Sequence, residues 1–417
     1  MLVKDNKLQT YRYWDIQIPS DKVRISNDLI TKCRNLILDS ASLRLRSDVQ
    51  TGGTLSGGLD SSTLTCLIDQ NLVNDKYPVF TVQFPGYKND ESRFVNEVVS
   101  KSEHLQLFNY LPTHDELIND LPKIIWYQDE PFGDSSIFAH YLLMKVVKEK
   151  GVKVVLTGQG ADEVFGGYLS YYRAFLGSLL LQGQILSLSN EIKTRARVTN
   201  ESQFQLYTGA VYHALPLYLK NKLQTLCLDW QSDWISRDLR RSVSRNFHKE
   251  ATIQCSYFDW YLYQAIYKWS LPHLLHYDDR NSMAYGIESR APYLDYRLIE
   301  LLFSTCDEAK ISNGQTKTLL RSVSKGIVPN SITSRIEKIG FFTPMDDWLA
   351  KSGDFIYDNL NSNFAKQNSY FSSTKLLKLV QRLINGEQKF MSQVWRGLSL
   401  SVWHETIVKN HNNKGLI

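Results

Sequence analysis

The chain has 417 residues, 43% of them apolar and 22% charged, with a formal charge of +5, which is enough apolar material for one large or two closely packed soluble domains. The small positive charge carries no basic block of the kind that marks a nucleic-acid tail. Five scattered cysteines (Cys33, Cys66, Cys227, Cys255, Cys306) show no C-x-x-C spacing, which argues against a disulfide framework or a zinc cluster and fits a reducing cytoplasm.

The amino terminus, Met1-Leu2-Val3-Lys4-Asp5-Asn6-Lys7, carries charges where a secretory signal needs an apolar core, so no export is expected. Between Asp21 and Leu45 apolar residues recur at helical spacing (Val23, Leu29, Ile30, Cys33, Leu36, Ile37, Leu43), predicting a long amphipathic helix. Thr51-Gly52-Gly53-Thr54 then reads as a strand feeding Leu55-Ser56-Gly57-Gly58-Leu59-Asp60-Ser61-Ser62, which runs into the apolar helical pattern of Leu64, Cys66, Leu67 and Ile68. Adjacent glycines on a strand-to-helix turn expose backbone N–H groups, and the following helix aims the positive end of its dipole at them. The loop is therefore a receptor for an anion, with hydroxyls from Ser56, Ser61 and Ser62 at its rim. Asp60 would repel a phosphate, and its expected task is to hold Mg²⁺ against one. The competing reading is a glycine turn that merely lets strand and helix pack. G-x-x-x-x-G-K-[ST], G-x-G-x-x-G and G-x-S-x-G are all absent, so the common nucleotide loops and the hydrolase elbow do not apply; S-G-G-L-D-S resembles the PP-loop of enzymes that split ATP between its α and β phosphates.

Beyond the loop, strands and helices alternate: a strand over 79–84, a helix over 92–102, a strand over 105–111, a helix over 137–150 and a short β-branched strand over 152–156. This pattern predicts an α/β fold, a parallel sheet with helices on both faces, whose ligands sit at the carboxyl ends of the strands. The loops after Leu55, Phe84 and Leu156 should then face one another. The third of these, Thr157-Gly158-Gln159-Gly160-Ala161-Asp162-Glu163-Val164-Phe165-Gly166-Gly167-Tyr168, brings Asp162 to the cleft of Asp60 as a second Mg²⁺ carboxylate. Its competing reading is a cap for the next helix.

From Tyr168 onward helical patterns dominate. The apolar run over 174–186 is broken by Gly177, Gln182, Gly183 and Gln184 and falls short of the roughly 20 residues that span a bilayer, so no membrane segment is expected. The aromatics between Tyr257 and Trp269 read as core, and His273 and His276 as a packed or solvated helix face rather than metal ligands. The charged stretch from Asp278 to Asp295, with Glu288 and Arg290, reads as a partly buried network that either binds a zwitterionic substrate or locks the helices to the sheet. Lys317 and Lys338 sit in glycine-flanked contexts, where a lysine can be poised over a charged intermediate.

Five motifs in order, S-G-G-L-D-S-S, G-Q-G-A-D-E-V-F-G-G-Y, D-R-N-S-M-A-Y-G-I-E-S-R-A-P-Y-L-D, T-K-T-L-L-R and R-I-E-K-I-G-F-F-T-P, resemble the synthetase domain of the glutamine-dependent asparagine synthetase family, and the likeness spans residues 12–403. It implies a linker and amphipathic helix over 1–47, a nucleotide-binding α/β core over 48–168, and a helical part over 169–417 that completes the active site. It implies ATP and Mg²⁺, with Ser56, Gly57, Gly58, Asp60, Ser61 and Ser62 on the pyrophosphate and Asp60 and Asp162 on the metal. Leu55, Val82, Thr157 and Gly158 would contact adenosine, Lys338 and Lys317 would face the adenylate and pyrophosphate, and Glu288, Arg290 and Gln159 would border the acceptor pocket. The reaction implied is adenylation of a carboxylate, most simply the β-carboxylate of L-aspartate, followed by attack of ammonia. β-Lactam synthetases and lasso-peptide cyclases share the domain and leave another carboxylate open.

Two features depart from the family pattern. The full family enzyme begins with a glutaminase domain whose nucleophile is an amino-terminal cysteine, whereas here the second residue is Leu2 and that domain is missing; the expectation is free ammonia, a separate glutaminase domain or subunit, an amine within another substrate, or a fragment that starts at Met1. Gln159 replaces the glutamate that many asparagine synthetases carry, and a glutamine cannot act as a general base. A small-molecule carboxylate is the expected partner, with neither nucleic acid nor membrane, and a homodimer is compatible.

Overall fold

A computed structural model describes residues 1–5, 7–71, 75–87, 89–133, 135–223, 233–244, 255–336 and 343–409. An exposed hairpin of β1 (Leu2–Lys4) and β2 (Lys7–Gln9) precedes α1 (Asn27–Leu45). The expected helix starts later than its apolar pattern because Ser26 caps it, accepting from the Leu29 N–H, while Val23 pairs with Thr305 instead. Leu29, Cys33, Ile37 and Ala41 form its buried stripe, the four-residue spacing that keeps one helix face against the core.

The core then alternates as expected: β3 (Thr51–Thr54), α2 (Leu59–Asn71), β4 (Tyr77–Val82), α3 (Ser92–Val99), β5 (Leu105–Tyr110), α4 (His114–Gln128), α5 (Ser136–Glu149) and β6 (Val154–Leu156). The sequence reading lacked α4, although its signature is local. Thr113 and Glu116 form a reciprocal capping box at its start, the T-x-x-E pattern that satisfies two otherwise orphaned N–H groups.

The strand order is β5-β4-β3-β6-β7, with every pairing parallel. The fifth strand, β7 (Glu288–Arg290), lies more than 130 residues beyond β6 in the chain and pairs Leu156 with Arg290. Alternate residues face opposite sides: Val79 and Leu156 join the core beneath α1 and α2, whereas Phe80 and Val155 pack with Leu143, Met144 and Val147 of α5. The chain runs from β3 to β4 on one side and returns to β6 on the other. That reversal opens a crevice at the carboxyl ends of β3 and β6, the usual ligand position in such sheets.

After β6 come α6 (Ala161–Phe165), α7 (Leu169–Leu181) and α8 (Ile185–Thr199), then a mostly helical remainder. One exception is the hairpin of β8 (Ile311–Ser312) and β9 (Gln315–Thr316). Its turn is Asn313-Gly314 at φ +53° and +72°, the residue pair that tolerates positive φ at both central positions. Among the described residues no helix is long and apolar enough to cross a membrane.

Candidate active site

The loop after β3 folds over its own serines. Ser61 Oγ accepts from the Ser56 N–H at 3.1 Å and lies 3.0 Å from Ser56 Oγ, which accepts from the Gly58 N–H at 3.3 Å. Gly57 adopts φ +81°, and a Cβ there would sit 3.1 Å from both the Glu91 carbonyl oxygen and Phe94 Cβ. Glycine is thus required for the backbone angle and for the close approach of α3. The Leu55 side chain is buried in the core and its N–H donates to the Phe80 oxygen at 2.9 Å. Val82 ends β4 next door.

The loop after β6 lies close against it: a Cβ at Gly158 would stand 3.1 Å from the Ser61 nitrogen and 3.3 Å from Asp60 Cβ. Thr157 donates its N–H to the Arg290 oxygen at 2.9 Å. Its hydroxyl, like that of Ser62, is buried with no hydrogen-bond partner in the protein. Orphaned buried hydroxyls are costly in a finished core.

Asp162 does not cap α6; Gly160 takes the capping position before it, with no side-chain cap. Its carboxylate turns instead to Lys317. The Lys317 ammonium lies 2.6 Å from both oxygens of Asp60 and 2.6 Å from Oδ1 of Asp162. Hairpin β8–β9 delivers this lysine, and Glu191 of α8 holds the hairpin by accepting from the N–H groups of Asn313 and Gly314 at 2.7 and 2.9 Å. Lys317 takes φ +57°, ψ +38° immediately before the helix Thr318–Ser324, a left-handed conformation that costs a non-glycine residue on the order of 1 kcal/mol. Gly167 closes the cluster, since a Cβ there would stand 1.9 Å from Asp162 Oδ1 and 2.2 Å from Lys317 Cε.

Lys317 is only 5% exposed. Burial pulls its pKa down, but the facing carboxylates of Asp162 and Asp60 outweigh that and hold it above the ordinary lysine value. Three carboxylate oxygens converging on one cationic point are a hard-oxygen donor set. With two protein carboxylates, the set fits Mg²⁺, which keeps most of its waters and takes few protein ligands.

Three neighbours went unassigned in the sequence. Tyr293 donates its hydroxyl to the Asp60 carbonyl at 2.9 Å. Tyr168 has its phenol pKa raised by burial and by Asp162 and Glu163. Arg321 lies one turn after Lys317 and donates to the oxygens of Thr316 and Thr333 at 2.8 and 2.7 Å. Burial lowers its pKa while Asp60 opposes the shift. T-K-T-L-L-R held the signal for Arg321, an arginine in the helix that Lys317 caps.

Glu288 and Arg290 pair with each other at 2.8 Å, and Arg290 also donates to the oxygens of Arg44 and Arg46 at the end of α1. Gln159 lies between Gly158 and Gly160 at the crevice, half-buried. Lys338 falls outside the described residues; three residues earlier, Arg335 pairs with Glu91 and places its guanidinium 4.6 Å over the Phe94 ring, beside Gly57. His276 Nε2 lies 3.1 Å from the Gln128 oxygen, and Asp278 lies 3.2 Å from His140, so these residues bind α4 and α5 to the helix Leu271–Met283.

The family model for asparagine synthase matches residues 32–405. Asparagine synthetase [glutamine-hydrolyzing] 1 of Bacillus subtilis (strain 168) is 27% identical over 394 residues, covering 90% of this chain and 59% of the relative. A putative asparagine synthetase [glutamine-hydrolyzing] of Mycobacterium tuberculosis (strain ATCC 25618 / H37Rv) is 24% identical over 418 residues, covering 94% and 60%. A second putative enzyme of that name, from Methanocaldococcus jannaschii, is 37% identical over 172 residues, 40% of this chain and 32% of its own. The chain thus spans about 60% of the length of the first two relatives.

Proposed function

The chain belongs to the asparagine synthase family, and from that premise we propose that it makes an amide by activating a carboxylate with ATP, most simply the β-carboxylate of L-aspartate. The observation that carries this reading is the convergence of Asp60, Asp162 and Lys317 at 2.6 Å beside the serine-lined loop.

In this mechanism the substrate carboxylate attacks the α-phosphorus of ATP, the α–β phosphoanhydride bond breaks, and pyrophosphate leaves. Ammonia then attacks the acyl carbon of the adenylate, the acyl–phosphate bond breaks, and the amide, AMP and a proton are released. The Ser56–Ser61 loop, at the amino end of α2, would receive the leaving phosphates. Asp60 and Asp162 would hold Mg²⁺, which supplies charge neutralisation of the departing pyrophosphate when bound. Lys317, held in its cationic form by the facing carboxylates, adds a positive charge near where negative charge develops. Lys338 is assigned to the same task by its motif. Val82, Leu55, Thr157 and Gly158 border the space for adenosine, and Glu288 and Arg290 that for the acceptor.

Gln159 favours a second reading of the acceptor. With no carboxylate at that position, the attacking amine is not deprotonated there, and a carboxylate other than aspartate is the rival substrate. The test is product analysis with Mg-ATP, ammonium and a panel of carboxylates. Asparagine formed from aspartate alone supports the first reading; an amide formed only from another carboxylate moves the substrate and keeps the mechanism. Absence of AMP with every carboxylate, from folded protein, removes both.

A further inference from the structure

Lys317 occupies the point at which the two carboxylates would hold a metal. Its ammonium touches three carboxylate oxygens at 2.6 Å, so a divalent ion cannot take both carboxylates while the ammonium stays. The lysine has little freedom to leave. Its backbone is fixed at φ +57° between the hairpin and the helix Thr318–Ser324, its Cε lies against Gly167, and its side chain is 6% exposed. It cannot swing into bulk water, and a short displacement inside the crevice would leave an ammonium without its carboxylates, which is expensive in a buried site.

The charges point the same way. Asp60, Asp162 and Lys317 together carry −1. A divalent ion alone would turn this buried cluster to +1, whereas an ion arriving with polyphosphate brings the anion that both it and the displaced ammonium need. The loop of Ser56, Gly58 and Ser61, adjoining Asp60, is where that anion would lie.

Resting on the nucleotide reading above, we infer that Lys317 is a built-in stand-in for the metal: it holds Asp60 and Asp162 together in the resting protein and yields them only when metal and polyphosphate enter together. Metal and nucleotide binding are then strongly coupled in the wild type, and the coupling resides in one side chain. By linkage the effect is reciprocal, with a factor on the order of 10 to 100.

The test measures binding, not turnover, with Mn²⁺ as the probe and α,β-methylene-ATP as the nucleotide that cannot be split. Free Mn²⁺ is followed by electron paramagnetic resonance in wild type, Lys317→Met and Lys317→Gln, with Asp60→Asn as the site control. Without nucleotide, the two Lys317 variants should bind Mn²⁺ at least about tenfold tighter than wild type, and Asp60→Asn should abolish the gain. Equal Mn²⁺ affinity in wild type and variants overturns the inference. A readout that needs no variant is the wild-type melting temperature, expected to be unmoved by Mn²⁺ alone and raised by Mn²⁺ with the analogue; a rise with Mn²⁺ alone also overturns it. Failure of the two ideas separates cleanly. AMP formation with equal Mn²⁺ affinities keeps the proposed reaction and discards the stand-in, and the reverse pair of results keeps the stand-in and discards the reaction.

Discussion

Lys310 and Lys317 stand at the two ends of the same hairpin, and both are buried, at 0% and 5% exposure. Their surroundings differ. Around Lys310 the charges are shared between several groups: Asp259 takes Lys22 at 3.0 Å and Lys310 at 3.6 Å, and Lys310 leans on the oxygens of Thr305 at 3.3 and 3.4 Å. Nearby Asp307 has its carboxyl pushed up to about 6 by burial and by Asp259. Around Lys317 one ammonium serves two carboxylates, all at 2.6 Å, on a left-handed backbone with glycine packed against the pair. Burial of a lysine is thus common to a structural pair and a candidate site. The close 2.6 Å contacts, the left-handed backbone and the adjoining phosphate loop set the second apart.

Substitution to methionine separates the two most sharply. Lys317→Met should lower AMP formation by about 10³-fold, the scale of losing one preorganised charge at the reacting centre. Lys310→Met should leave the rate per folded molecule within about threefold and cost about 3 kcal/mol of stability, since it breaks a buried pair; denaturant titration with a rate assay on the soluble fraction checks both. Equal loss of activity in the two would erase the distinction. Next in size, Gly167→Ala forces a methyl into the 1.9 Å and 2.2 Å approaches to Asp162 and Lys317, and steady-state kinetics should show about 100-fold lower kcat, as for a misplacement of roughly 1 Å.

His213 gives a third buried base and a pH signature away from both lysines. Burial, with Lys220 and Arg173, lowers its pKa to about 4. A depressed folded value means the unfolded chain binds the proton more readily, so stability present above pH 6.5 is lost as pH falls from there toward 4. The loss is about 2 kcal/mol at pH 5, and His213→Gln should flatten that limb in melting curves taken from pH 7 to 5. The smallest effect concerns the hairpin itself: Glu191→Gln weakens acceptance from Asn313 and Gly314 and should cost about 1 kcal/mol, read by urea titration.

What the sequence disclosed followed from how local each signal is. The loop after β3 and the glycine loop after β6 are single turns between adjacent elements, and both were legible with their residues in place. The alternating core was legible for the same reason, apart from α4, whose capping box was overlooked. β7 was hidden because three residues carry too little periodicity to register as a strand. The Asn313-Gly314 turn went unread, and its consequence is not local, since Lys317 meets Asp60 across 257 positions of chain and only the folded hairpin brings them together. His276 meets the Gln128 oxygen and so serves helix packing, while His273 is exposed beside Tyr277 of its own helix.

The most direct test of the central claim follows which bond of ATP breaks. Phosphorus NMR of ATP turnover with a carboxylate and ammonium should show AMP and pyrophosphate in equal amounts, dependent on the carboxylate and lost in Asp60→Asn. ADP with inorganic phosphate, or AMP formation untouched by Asp60→Asn, would contradict the account.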